Sequence, residues 1–177
     1  MIEYRKFTDI EIKKICKNIC ILIDSREKKC QNVKDWCSHK NRCEYKTIKL
    51  DNGDYSFMLK AMPEFGIIQD MYFDKKIVIE RKNSLDEISQ NFTKSRTRFE
   101  EEMATYSGKM IIVVEDKWDN LFLGNYKSKY NRVSFIASVM AFEHRYGISF
   151  RFMSKEAFPI FIYGQFYYYL RSLLKRE

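Results

Sequence analysis

With 177 residues, 45% hydrophobic and 16% aromatic, the chain has the length of one domain and the means to bury a substantial core. It contains no run of 18 or more apolar residues. Its opening, Met1-Ile2-Glu3-Tyr4-Arg5-Lys6, lacks the apolar centre of a signal peptide, so a membrane or exported protein is not expected and a cytoplasmic or nucleoid-associated one is. The 32 Lys and Arg against 24 Asp and Glu give a net charge of +8, which favours a polyanionic partner, and five cysteines, an odd number, argue against a disulfide framework.

Taken in chain order, the pattern predicts a helix over 9–16 and a buried strand over about 19–24, with Cys16 and Cys20 sharing a helix face at spacing i, i+4. A second helix is expected over 31–40. Runs rich in Tyr, Phe, Ile and Val from 44 to 81, broken at 51–54, 61–64 and 74–76, read as an antiparallel meander. Helices follow over 84–91 and 96–106, then a continuous apolar strand, Met110-Ile111-Ile112-Val113-Val114-Glu115. Beyond residue 116 the reading is a helix over 131–146, a short strand over 148–152 and a closing helix over 155–175. Neither a repeat nor a low-complexity linker interrupts this order, and mixed α/β architecture results.

The chemistry concentrates in four segments. Ile21-Leu22-Ile23 ends abruptly in Asp24-Ser25-Arg26-Glu27; Gly53-Asp54-Tyr55 follows a turn; Ile77-Val78-Ile79-Glu80-Arg81-Lys82 is followed by Asp86; and Arg96 and Arg98 lie downstream. Period-2 geometry puts Glu80 and Lys82 on one strand face and Arg81 on the other. A carboxylate and an ammonium on one surface suit Mg²⁺ or Mn²⁺ binding and the stabilisation of charge developing on phosphate.

Each piece alone has a plainer reading. Asp51-Asn52-Gly53-Asp54 is good turn chemistry, Ser84-Leu85-Asp86-Glu87 has the form of a capping box, and the two arginines suit a solvated helix. Cys30, Cys37, His39 and Cys43 contain the ligand types of a zinc knuckle without its Cys-x-x-Cys pair. The dense aromatics of 158–170 suit core or a dimer contact better than base stacking, and Lys127-Ser128-Lys129 reads as a solvated loop with phosphate contact as its alternative.

Together and in order, GD and then ERKxxxD resemble the nuclease domain of the XPF-type structure-specific endonucleases, over about 21–116. The resemblance implies a restriction-endonuclease-like fold, a central mixed β-sheet flanked by helices, and one nuclease domain spanning 1–177 with a helical part over 117–177. It implies a Mg²⁺- or Mn²⁺-dependent DNA endonuclease cutting branched, flap or junction DNA, and similarity to small phage-like members, with repair, recombination and phage DNA processing all open as pathways. Asp54 and Glu80 match the central metal ligands, Asp24 and Asp86 match further acids implied as metal ligands directly or through water, and Lys82 matches the catalytic lysine. Arg81, Arg26 and Glu27 match other charged positions, and either Arg96 or Arg98 matches a downstream arginine. DNA is the implied partner, with a homodimer or a protein partner beside it. The alternative is a catalytically inactive DNA-binding module or the non-catalytic subunit of such a nuclease.

Overall fold

The structure is a computed structural model and describes residues 6–175. It is α/β, with seven strands in a mixed sheet. In chain order the elements are α1 (Asp9–Cys16), β1 (Ile19–Asp24), α2 (Gln31–Ser38), β2 (Glu44–Ile48), β3 (Tyr55–Leu59), β4 (Met71–Tyr72), β5 (Ile77–Lys82), α3 (Leu85–Phe92), α4 (Arg96–Thr105), β6 (Lys109–Val114), α5 (Trp118–Leu123), α6 (Arg132–Tyr146), β7 (Ser149–Phe152) and α7 (Phe158–Lys175). Among the described residues no helix is long and apolar enough to cross a membrane.

The chain divides into two compact units. The described part of the first comprises residues 6–51, 55–74 and 159–175. Here β1 is buried at all six positions, as its unbroken apolar sequence demands. It pairs in parallel with β2, with Ile21 opposite Tyr45, and antiparallel with β3, with Ile21 opposite Phe57. The meander expected from residue 44 onward is therefore not formed at its start, because α2 carries the chain back across and delivers β2 parallel to β1. On β2 the first four residues are exposed, and its charged composition suits an edge.

Phe57 stacks on Phe73 at 4.4 Å and on Phe166 of α7 at 5.1 Å, and Ile162 and Leu170 are fully buried, so the aromatic C-terminal stretch builds core. Cys16 ends α1 while Cys20 lies within β1, so the two do not share a helix; the helix stops at the Lys17 cap. Burial pushes both thiols up to about 11. The Sγ atoms of Cys37 and Cys43 lie 3.3 Å apart. Among the described residues no group of three or more His, Cys, Asp or Glu side chains is arranged as a metal cage, the Cys30, Cys37, His39 and Cys43 set included.

The second unit holds residues 52–54 and 75–158. In it β5, β6 and β7 run parallel, with Ile79 opposite Ile111 and Ile111 opposite Ser149. Their faces pack on Phe92, Phe99, Phe135 and Phe142, with Phe92 edge-on to Phe142 at 4.8 Å. The helix α5 has no counterpart in the sequence reading: six residues are too few to show a period. Asp116 precedes it and accepts hydrogen bonds from the Lys117 N–H and the Asn120 amide. The closing helix starts at Phe158 rather than 155, with Pro159 in its first turn, where a missing N–H costs nothing.

Candidate active site

The second unit assembles most of the charged motif. Gly53 has φ +69°, and a Cβ there would lie 2.7 Å from Val78 Cβ, so only glycine fits both the left-handed turn and the close approach to β5. That approach seats Asp54. Its N–H donates to Ile79 O at 3.0 Å, and its Oδ2 accepts from the Arg81 N–H at 2.8 Å. The aspartate thus brackets Glu80 from both neighbouring peptide groups. Turn chemistry and site chemistry are the same feature here.

Along β5 the period-2 expectation is met. Lys82 Nζ donates to Glu80 Oε1 at 2.7 Å on one face, both side chains being almost enclosed. Burial alone would lower the Lys82 pKa, but the adjacent Glu80 carboxylate, with Asp54 and Glu87 adding to it, holds it above the usual lysine value. Lys82 is accordingly a fixed cation at neutral pH. Its ammonium also sits 5.8 Å from the Phe99 ring centroid.

Arg81 points to the other face. There its guanidinium pairs with Glu115 Oε1 at 2.5 Å and lies 4.7 Å over the Phe158 ring, with its side chain 1% exposed. Glu115 follows β6 immediately, and its N–H donates to Lys82 O at 2.8 Å. Sequence reasoning did not single out Glu115. The available signal was an acid ending a buried strand, which becomes informative only once the β5–β6 register is known.

The acids at the motif's edges also hold backbone N–H groups. In α3, Asp86 Oδ1 accepts the N–H groups of Lys127 and Ser128 at 2.8 and 2.6 Å. Ser84 caps this helix by accepting the Glu87 N–H at 3.2 Å, while Glu87 itself takes the Asn83 N–H, so the capping box is shifted back by one residue. In α4, Arg96 is committed to Glu100 at 3.1 Å and to the Phe142 ring, whereas Arg98 is exposed and holds no ion pair among the described residues.

Asp24 and Arg26 lie in the first unit. There Asp24 Oδ1 accepts the Arg26 N–H and Nε–H at 2.7 Å, and Oδ2 accepts Arg26 Nη2–H at 3.2 Å and the Leu50 N–H at 2.6 Å. Burial alone would raise the Asp24 pKa, but the guanidinium and the two backbone donors prevail and hold it below the usual carboxylate value. Glu27 accepts the Lys29 N–H.

The donors fit a hard divalent ion. Mg²⁺ is commonly held by one or two carboxylates, with water and substrate phosphate completing six oxygens, and Asp54 and Glu80 are carboxylates of that donor type. The second oxygen of Glu80 carries no protein hydrogen bond among the described residues.

The mixed α/β sheet thus bears an acid-x-lysine strand beside a glycine-seated aspartate. The ERCC4 domain model matches residues 23–162, continuing past residue 116 where the motifs end, and the chain belongs to that family. XPF from Aeropyrum pernix superposes with a TM-score of 0.58 at 20% identity, covering 89% of this chain and 62% of that one. XPF from Aeropyrum pernix in complex with DNA gives 0.58 at 19%, covering 87% and 64%. The chain thus spans less than two thirds of those relatives. No curated protein matches it.

Proposed function

We propose that the protein is a Mg²⁺- or Mn²⁺-dependent endonuclease hydrolysing phosphodiester bonds in branched, flap or junction DNA. The observation that carries this is Asp54, fixed by two hydrogen bonds to β5 on either side of Glu80, with Lys82 paired to Glu80 at 2.7 Å. Membership of the ERCC4 family and the A. pernix XPF–DNA complex support DNA as the substrate.

In this reading Asp54 and Glu80 hold the ion, which when bound polarises a phosphoryl oxygen and lowers the pKa of water. Lys82 orients the attacking water and offsets the negative charge that accumulates as the new P–O bond forms and the bond to the leaving oxygen breaks. Paired with Glu80 at 2.7 Å, Lys82 serves in this reading as a cation, and the proton of the attacking water passes to bulk solvent. Arg81 works through position: its N–H locks Asp54, and its guanidinium is tied to Glu115. Asp24 acts likewise, as an anchor for Arg26 and Leu50, and the exposed Arg98 is better placed than Arg96 to meet DNA.

The test is cleavage of labelled flap, fork, four-way-junction and linear duplex DNA with Mg²⁺ or Mn²⁺. Asp54→Asn and Glu80→Gln should abolish cleavage, and Lys82→Ala should slow it at least about a hundredfold. Cleavage that survives Glu80→Gln would place the site elsewhere. Metal-independent binding without cleavage by the wild type would favour the DNA-binding module or an enzyme lacking its partner.

A further inference from the structure

Along α3, from Asp86 past Gln90 and Thr93 to Lys94, the second unit carries an open groove of about 700 Å³ whose far wall is the loop bearing Lys127 and Lys129. Asp86 builds that wall, since its Oδ1 accepts two consecutive N–H groups of the loop, from Lys127 and Ser128. The charge of the groove's one acid is thereby directed at backbone donors. Lys94, Lys127 and Lys129 are all exposed, and none holds an ion pair among the described residues.

We infer that this groove is a nucleic-acid backbone site, in which the three lysines contact successive phosphates and Asp86 acts as the positioning residue that holds the loop. The inference rests on the DNA-cleaving reading above. The chemistry suits a polyanionic strand better than a small anion: the groove is open, and its cations stand on long flexible stems. A lone phosphate would need enclosure and fixed donors; a strand needs only a row of charges. From Asp86 to Phe92 the helix wall runs about 9 Å at about 1.5 Å per residue. Duplex DNA carries one phosphate per about 3.4 Å of axis on each strand, so this length accommodates about three. Lys82, the last residue of β5, lies only three residues before α3 begins, so the groove leads away from the proposed reaction centre.

The test measures DNA binding by fluorescence anisotropy across a salt series, with the full chain in chelator so that no cleavage intervenes. Replacing Lys94, Lys127 and Lys129 together by Ala should weaken binding at least tenfold and reduce the slope of log K against log salt by about 2 to 3, at about 0.9 per lost phosphate contact. Replacing Lys13, Lys14 and Lys28 instead should leave the slope within about one contact of wild type. Asp86→Ala should reproduce much of the loss, while Asp86→Asn, which keeps an acceptor oxygen at the loop, should retain wild-type affinity. A triple variant with the wild-type slope, in a protein that binds DNA, overturns the groove. Asp86→Ala with wild-type affinity overturns the positioning role. Cleavage that persists beside an unchanged slope sinks this inference alone, tight lysine-dependent binding without any metal-dependent cleavage sinks the nuclease reading alone, and failure of the wild type to bind DNA sinks both.

Discussion

At Gly53 a single hydrogen atom in place of a side chain decides whether the site exists, because a methyl group would meet Val78 and the left-handed φ disfavours any L-residue. Gly53→Ala should cost about 1–3 kcal/mol in urea unfolding. It should cut cleavage by more than that loss accounts for, since Asp54 is displaced with it. Glu115→Ala should be costlier, about 3–5 kcal/mol, because it leaves the Arg81 guanidinium buried without its carboxylate. The same unfolding curves test it, and a loss under about 1 kcal/mol would mean that the pair is as weak as a surface one. The Glu80–Lys82 face was legible in the sequence because strand periodicity alone sets it. Glu115 was not, because its meaning depends on a neighbouring strand 33 positions away in the numbering of Lys82.

At the scale of elements, the end of β1 is tied to Leu50 through the Asp24 carboxylate and the Arg26 guanidinium. A carboxyl whose folded pKa is depressed stabilises the fold fully above its unfolded value, about 3.9, and loses that contribution as pH falls through the folded value. Asp24→Asn should therefore lower stability at pH 7 and remove part of the wild type's decline below about pH 4. Identical acid limbs in the two proteins, measured by urea midpoint against pH, would show that Asp24 contributes nothing. Individual strands were readable from apolar runs, since β1, β5 and β6 are buried and dense in β-branched residues. Their pairing was not. Nothing in Glu44–Ile48 distinguishes a parallel from an antiparallel edge, and that choice is made by the crossover through α2.

For the molecule as a whole, if the proposed function holds, +8 net charge with Glu80, Asp54 and Glu87 near Lys82 places phosphate neutralisation outside the reaction centre. Wild-type affinity for DNA should fall steeply between low and physiological salt, and a flat salt profile would argue against a nucleic-acid partner. The fold class was accessible from the alternation of helical and strand patterns together with four ordered motifs. The division into two compact units was hidden, because Asn52–Asp54 groups with the later residues while its flanks group with the earlier ones, and no glycine- or proline-rich linker marks either boundary.

The close packing of Gly53 on Val78 has a consequence for mutational scanning. Position 78 is apolar, buried and without reactive chemistry, yet it sets the space into which the Gly53 turn descends. In a scan scored separately for protein abundance and for cleavage, Val78→Ile should lower both, by about 1–3 kcal/mol of stability and by a loss of cleavage larger than that accounts for, because the crowded Gly53 turn carries Asp54.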